Sequence, residues 1–296
     1  MCTMKKKFQM IGFALSVLLV TLPIVTVGAD NAASGKQKKE KTTESALGVK
    51  PVTGSWINLA YKDVRNKYTN PQSFDNMDPK LWEAKVRELS AMGIEYLVLM
   101  EVANEGKSYY PSQIMPWWYN KDKKSPVDAI LDEAAKHNMK IFMSSGWAKD
   151  QDDNLLDPAI KERQLRIMEE LASLYKNHKA FYGWYLPVED CLCPIFAEHA
   201  VQSVNTLSEK AKKLAPGKKT LISPYGIGLS EFDNPEYEKQ MQKLKVDIIA
   251  YQDEVGCVRD QFTLPRLKKN WQRLRDIHNR LNIEMWANCE TFTWEE

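Results

Sequence analysis

Cysteine is scarce in this 296-residue chain, which contains five. Cys2 precedes the basic residues at the N-terminus, and the other four are Cys191, Cys193, Cys257 and Cys289. Four cysteines in so long a chain are too few for a disulfide-stapled scaffold. The one-residue gap between Cys191 and Cys193 is not the spacing of a zinc ligand pair. We therefore predict buried or singly paired cysteines and no metal site.

Glycine-rich phosphate loops and an excess of one charge are also absent. Neither GxGxxG nor GxxxxGK[ST] occurs in the sequence, so we expect no nucleotide cofactor. The formal net charge is +2, and removal of the first 29 residues takes away three lysines and leaves −1. This balance favours neither a nucleic-acid partner nor an anionic membrane surface.

The N-terminus has the pattern of an export signal. Three lysines precede the apolar run FQMIGFALSVLLVTLPIVTV, and Val27-Gly28-Ala29 is a small-residue cleavage pattern. We predict a signal peptide over residues 1–29 and a periplasmic or extracellular location, with no membrane segment after cleavage. An uncleaved anchor is the alternative, since the run is nearly long enough to span a bilayer. Residues 30–53 are polar, Lys-rich and aperiodic, which predicts a flexible linker.

Residues 54–296 repeat one pattern, in which an apolar β-rich run is followed by an amphipathic helical stretch. The predicted strands are 55–61, 94–102, 140–145, 181–186, 219–225, 246–252 and 283–290. The predicted helices are 78–93, 125–138, 157–178, 196–217 and 263–281, with N-caps at Asp78, Ser125 and Asp157. On the first helix, Trp82, Val86, Leu89 and Met92 are expected to form the apolar face.

Strands that alternate with helices in this way indicate parallel βαβ units. Seven units without a phosphate loop predict an α/β fold of the TIM (β/α)8-barrel type in a single domain over residues 54–296. An eighth strand is missing, because the sequence ends six residues after the seventh predicted strand. Either the chain is truncated, which we favour, or the barrel stays open with exposed edge strands.

Carboxylates follow the fourth and seventh predicted strands, where a TIM barrel builds its active site. Glycoside hydrolysis needs one carboxyl group that protonates the leaving oxygen and a second that attacks the anomeric carbon or activates water. We predict that Glu189 and Glu290 are this catalytic pair and that Asp190 faces solvent or holds the loop. The alternative for each carboxylate is a solvated charge or a helix cap.

Other residues near the same mouth suit a carbohydrate partner, because flat aromatic rings beside polar groups can bind the faces of sugar rings. The predicted substrate-binding residues are Glu101, Trp117, Trp118, Trp147, Tyr225, Gln252, Asp253 and Asn288. The alternative for Trp117 and Trp118 is that they pack their loop onto the barrel. The four histidines, His137, His178, His199 and His278, are expected to be structural.

Four motifs at the strand ends resemble a known family. GWYLPVED (183–190), ISPYG (222–226), DIIAYQDEVG (247–256) and WANCETF (286–292) are similar to the secreted TIM-barrel family catalogued as domain of unknown function 4434, which is grouped with glycoside-hydrolase barrels. The resemblance covers residues 54–296. It implies an exported barrel of a polysaccharide-degrading bacterium, with Glu189 as acid/base and Glu290 as the second carboxylate. Val188 stands where many such barrels have Asn before the acid/base.

The combined hypothesis is a glycoside hydrolase that acts on a poly- or oligosaccharide without a cofactor. Two rivals stay open: a non-catalytic glycan-binding barrel, and an inactive fragment of a full-length hydrolase.

Overall fold

The computed structural model of the chain describes residues 51–59, 78–104, 106–146, 155–256 and 263–291. The predicted signal peptide, most of the predicted linker, Trp147 and Cys257 lie outside the described residues. Within the described ranges, no helix is both long enough and apolar enough to cross a bilayer.

Seven parallel strands form one sheet in the order β1-β2-β5-β6-β7-β8-β9. Their bounds are β1 Gly54–Ile57, β2 Tyr96–Leu99, β5 Lys140–Ser144, β6 Phe181–Tyr185, β7 Lys219–Ile222, β8 Ile248–Gln252 and β9 Glu284–Asn288. A short antiparallel hairpin, β3 (Ala103–Asn104) and β4 (Lys107–Ser108), follows β2 and was not predicted. Each of the seven predicted strands is present, in sequential parallel order. The predicted TIM-type barrel is therefore confirmed, with seven of the eight units present among the described residues.

Six helices are described, and they connect or follow the strands. Their bounds are α1 Pro79–Ala91, α2 Pro126–Lys136, α3 Pro158–Tyr175, α4 Glu198–Leu214, α5 Pro235–Lys243 and α6 Leu264–His278. The predicted N-caps are confirmed, because the side chains of Asp78, Ser125 and Asp157 each accept a backbone N–H of the first turn. Met92 was wrongly placed on the buried face of α1: it is the C-cap residue and is 67% exposed.

The sheet curls so that side chains of its last strand, β9, reach those of β2 and β5. The ring of Trp286 on β9 lies 5.0 Å from that of Tyr96 on β2, edge to face, and 5.7 Å from that of Phe142 on β5. Such contacts between strands far apart in the sheet order show that the sheet is strongly curled, as in a barrel. The opposite face of the sheet packs against the helices in the larger apolar core.

A register shift in β6 sets which of its side chains face the interior. Ile141 pairs with Phe181 and Phe142 with Gly183, so Tyr182 is an extra residue in β6. Tyr182 and Tyr185 both pack in the interior cluster as a result. Gly183 is required here, because a Cβ atom would lie 2.6 Å from the Phe142 ring and from the Lys219 carbonyl oxygen. The bulge thus points Tyr185 toward the site at the carboxyl end of β6.

Candidate active site

Glu189 lies four residues after Tyr185, just beyond the end of β6. The phenol of Tyr185 donates a 2.7 Å hydrogen bond to Oε1 of Glu189. The other oxygen, Oε2, is buried and has no hydrogen-bond partner among the described residues. Burial raises the pKa of Glu189, and the hydrogen bond from Tyr185 opposes this rise only in part. The result is a carboxyl group that tends to keep its proton and has one uncommitted oxygen.

Tyr185 also connects Glu189 to Glu101. The side chain of Tyr185 is fully buried, and its pKa is raised well above the usual range by burial first and by the carboxyl groups of Glu189 and Glu101 in addition. Glu101 is fully buried, and its Oε1 accepts a 2.9 Å hydrogen bond from the Leu59 backbone N–H. Glu101 therefore ties the ends of β1 and β2 together beside Tyr185.

Ser223, at the end of β7, organises the ends of β8 and β9. The Gln252 Nε2 group donates to the Ser223 carbonyl at 2.8 Å, and Asn288 Nδ2 donates to Ser223 Oγ at 3.0 Å. Ser223 Oγ in turn donates to the Ala250 carbonyl at 2.8 Å. Two of the predicted substrate-binding residues, Gln252 and Asn288, are thus held at one mouth of the barrel.

Glu290 is held by the loop that follows β8. Its Oε2 accepts a 2.8 Å hydrogen bond from the Gly256 N–H, and its own N–H donates to Asp253 Oδ1 at 3.0 Å. Asp253 Oδ1 also accepts from Val255 N–H at 3.2 Å, while the Asp253 N–H donates to the Asn288 carbonyl. Asp253, which was predicted to bind substrate, therefore accepts a hydrogen bond from the backbone of Glu290 and helps to position this predicted catalytic residue.

Glu254 is a further carboxyl group at this mouth, and the site prediction omitted it in favour of its neighbour Asp253. It has a left-handed φ of 53° and is buried, and its Oε2 accepts N–H groups from Gly226 at 2.8 Å and Ile227 at 3.1 Å. Burial raises its pKa to about 7, with the charges of Glu290 and Asp253 adding to the rise and the two backbone bonds opposing it. A carboxyl that titrates near neutrality is typical of catalytic sites.

The loop that carries Glu189 is bonded to the loop after β7. The Leu192 N–H donates to the Tyr225 carbonyl at 2.8 Å, and the Tyr225 N–H donates to the Asp190 carbonyl at 3.3 Å. Burial raises the pKa of the Tyr225 phenol to about 12. Since Gly226, the next residue, donates to Glu254, these contacts connect the loop that carries Glu189 to Glu254.

Asp190 holds the loop, as one of its predicted roles required. Its Oδ1 accepts the Cys191 N–H at 2.7 Å, and its Oδ2 lies 2.6 Å from Nε2 of His199.

His278 is buried: its Nδ1 donates to the Ile283 carbonyl at 2.8 Å, and its Nε2 lies 2.8 Å from the Tyr251 hydroxyl. Both histidines therefore have structural contacts.

The aromatic loop between β4 and α2 is packed against the barrel. The rings of Trp117 and Tyr119 stack at 5.1 Å, and those of Trp118 and Tyr109 at 6.3 Å. Trp117 Nε1 donates to the Ser112 carbonyl at 2.7 Å. Both tryptophans are half-buried against the main core, and Lys121 Nζ and Lys107 Nζ lie 5.1 Å and 4.4 Å from the ring centroids of Trp117 and Trp118. These contacts give both residues a packing role.

The structure brings most of the predicted site together. Tyr185 is hydrogen-bonded to Glu189 and lies within range of the Glu101 charge. The residues joined around Ser223 and the β8 loop are Gln252, Asp253, Asn288 and Glu290. Tyr185 and Glu254 were missed as site residues. For Tyr185, the one sequence signal is its position four residues before Glu189, with Pro187 between them. Among the described residues, no group of three or more His, Cys, Asp or Glu side chains is arranged to hold a metal ion.

The family profile described as "Domain of unknown function (DUF4434)" matches residues 52–296. No curated protein sequence matches the chain. Among solved structures, a Bacteroides thetaiotaomicron protein assigned as an alpha-L-fucosidase superposes with a TM-score of 0.59 at 18% identity, covering 80% of this chain and 73% of that one. This likeness supports the barrel fold.

Two further structures resemble the chain more weakly. One is a glycoside hydrolase family 5 protein from Bacteroides vulgatus, with a TM-score of 0.47 at 11% identity and coverage of 75% of this chain and 48% of that one. The other is an intracellular xylanase from Thermoanaerobacterium saccharolyticum, with a TM-score of 0.45 at 14% identity and coverage of 78% and 70%.

Proposed function

We propose that this chain, which belongs to the DUF4434 family and has a glycoside-hydrolase-like barrel, hydrolyses a glycosidic bond in a poly- or oligosaccharide. The observation that carries the proposal is the environment of Glu189. Its carboxyl group is buried at the carboxyl end of a barrel strand, one oxygen is held by Tyr185, and the other is uncommitted.

Glu189 acts as the general acid. Because burial raises the pKa of Glu189, the group keeps its proton to a higher pH than an exposed glutamate does. The Tyr185 hydroxyl occupies Oε1, so the proton resides on Oε2 and is donated to the leaving oxygen of the sugar. General acid catalysis of this kind contributes roughly 10²- to 10⁴-fold to the rate.

Glu290 acts as the second carboxylate. The Gly256 N–H donates to its Oε2, and a hydrogen bond of this kind favours the ionised form. The ionised group then attacks the anomeric carbon or activates a water molecule. The buried Glu254 lies close enough to Glu290 for their charges to interact, so its protonation state changes the field at Glu290.

Binding of the sugar is assigned to the polar groups at the mouth and to the aromatic loop. Asn288 and Gln252 are fixed by Ser223, while Trp117 and Trp118 are half-buried in the aromatic loop. We also propose that the protein is exported, because a signal-peptide pattern precedes the barrel. An exported barrel of this kind would meet polysaccharides outside the cytoplasm.

The test is a glycan panel, assayed with the purified chain for both binding and release of reducing ends. Wild type is compared with Glu189→Gln and Glu290→Gln, which remove the acid proton and the carboxylate charge with little change in shape. Glu95→Gln is the matched control, because Glu95 is exposed at the amino end of β2, away from the mouth.

We expect wild type and the control to release reducing ends from at least one glycan and the two site variants to release at least a hundredfold less. Binding without hydrolysis in all four proteins would instead indicate a non-catalytic glycan-binding barrel. Neither binding nor hydrolysis across the panel would contradict a carbohydrate function.

A further inference from the structure

Two cysteines immediately follow Glu189, and their sulfur atoms are in direct contact. The Sγ atoms of Cys191 and Cys193 lie 2.6 Å apart, and the Cys193 N–H also donates to the Cys191 sulfur. Both side chains are half-buried. The thiols are therefore placed against each other and remain accessible to a small oxidant.

The packing around Cys191 fixes this arrangement. Its sulfur lies against Gly226, where an added Cβ atom would be 2.7 Å from it. Its N–H donates to the Asp190 carboxylate, and the residue forms a β-bridge with Tyr225. Gly226, Asp190 and Tyr225 thus hold Cys191 in position, and the Cys193 sulfur packs against the Cys191 sulfur. The contact between the sulfurs follows from this backbone geometry.

We propose that Cys191 and Cys193 are the site of a covalent modification, an intramolecular disulfide that closes the turn directly after Glu189. An external disulfide, such as glutathione disulfide, is the oxidant. The Cys193 thiolate attacks it, forms a mixed disulfide and releases one thiolate. The Cys191 sulfur then attacks Cys193, and the second external thiol departs with the Cys191 proton. Two cysteine thiols are oxidised, and one external disulfide is reduced to two thiols.

The order of attack follows from the surroundings of Cys191. Burial raises the pKa of the Cys191 thiol to about 12, and the neighbouring Cys193 and Glu254 add to this rise. Since the thiolate is the nucleophile in disulfide exchange, Cys191 is the poorer first attacker. An exported protein would meet an oxidising compartment in which such a bond persists.

The test detects the Cys191–Cys193 disulfide directly and needs no substrate. A negative result would therefore be distinct from a failure of the proposed function. The folded chain is incubated with glutathione disulfide, free thiols are alkylated, and the protein is digested with trypsin and weighed by mass spectrometry. Cleavage after Lys179 and Lys210 places Cys191 and Cys193 in one peptide, whereas Cys257 and Cys289 fall in two others.

We expect the 180–210 peptide to be unalkylated and two hydrogen atoms lighter than its reduced form. In Cys193→Ser, Cys191 should become alkylated, while Cys289→Ser should leave the 180–210 peptide as in wild type. Alkylation of both cysteines in the oxidised wild type would overturn the proposal. So would a cross-link from this peptide to the one that carries Cys257 or Cys289.

Discussion

The hydroxyl of Tyr185 donates a 2.7 Å hydrogen bond to Oε1 of Glu189, from the last position of β6 to the loop that follows it. The bond divides the two carboxyl oxygens between different tasks. Oε1 is the acceptor that orients the group, and in the function we propose Oε2 is the atom that carries the proton. This division is what distinguishes Glu189 from an ordinary loop carboxylate.

Removing the phenol tests this orientation. In Tyr185→Phe the hydrogen bond that lowers the pKa of Glu189 is lost, so this pKa should rise further. An acid that holds its proton to higher pH moves the alkaline limb of the pH–rate profile upward. Loss of orientation should reduce kcat/KM at the optimum by roughly tenfold. The measurement is kcat/KM against pH on the glycan that the panel identifies.

The matched control is Tyr182→Phe. Tyr182 also lies on β6 and faces the same interior, but it is not bonded to Glu189. Its profile should coincide with that of wild type. An unchanged alkaline limb in Tyr185→Phe would show that this bond does not set the protonation of the catalytic acid.

Glu254 should make the stability of the protein depend on pH. Its pKa in the folded state, about 7, lies above the ordinary value of 4.5, so folding favours its protonated form. Its contribution is therefore complete below about pH 4.5 and is lost as the pH rises to about 7. Complete loss of this contribution lowers the free energy of unfolding by on the order of 3 kcal/mol. Glu254→Gln should remove it, so that the variant gains stability relative to wild type at pH 8 but not at pH 4.

Urea unfolding at these two pH values measures the effect. Glu162→Gln, at an exposed position of α3, is the control and should follow wild type at both. If the difference between wild type and Glu254→Gln were the same at pH 4 and pH 8, Glu254 would not titrate in this range.

Gly226 should tolerate a side chain poorly because of Cys191. Gly226 and Gly217 have similar left-handed φ values of 89° and 84°, so alanine strains the backbone at both. Only at Gly226 does the new Cβ meet a sulfur at 2.7 Å; at Gly217 it meets nothing within 4 Å. We expect Gly226→Ala to cost about 1–3 kcal/mol more than Gly217→Ala in guanidinium unfolding.

A second substitution identifies the cause of that cost. Adding Cys191→Ala to Gly226→Ala removes the crowding sulfur and should recover part of the loss, beyond what Cys191→Ala does alone. Equal costs at the two glycines would show that backbone strain, and not the contact with Cys191, explains why glycine is needed.

The barrel could be predicted from sequence because its signals are local. Apolar strand runs recur between amphipathic helices, and Asp78, Ser125 and Asp157 cap their helices with a proline directly after. Helix α5 was missed because it is short and buries only Tyr237 and Met241, which gives little periodicity. The β3–β4 hairpin has two residues per strand, too few for an alternating pattern.

The site was predicted less completely, because it depends on where the chain turns as it leaves each strand. Asp253 and Glu254 are adjacent acids, and the left-handed φ of Glu254 decides that Glu254 is the buried one. The bulge at Tyr182 decides that Tyr185 faces the interior. Neither backbone feature has a sequence signature that could be recognised in advance.

Whether Glu189 protonates the leaving group is measured by varying that group in Glu189→Gln. The measurement is kcat/KM on the natural glycan and on the dinitrophenyl glycoside of the same sugar, whose leaving group needs no proton. We expect a loss of at least a hundredfold on the glycan and activity near that of wild type on the dinitrophenyl glycoside. An equal loss on both substrates, or no loss on the glycan, would contradict this role of Glu189.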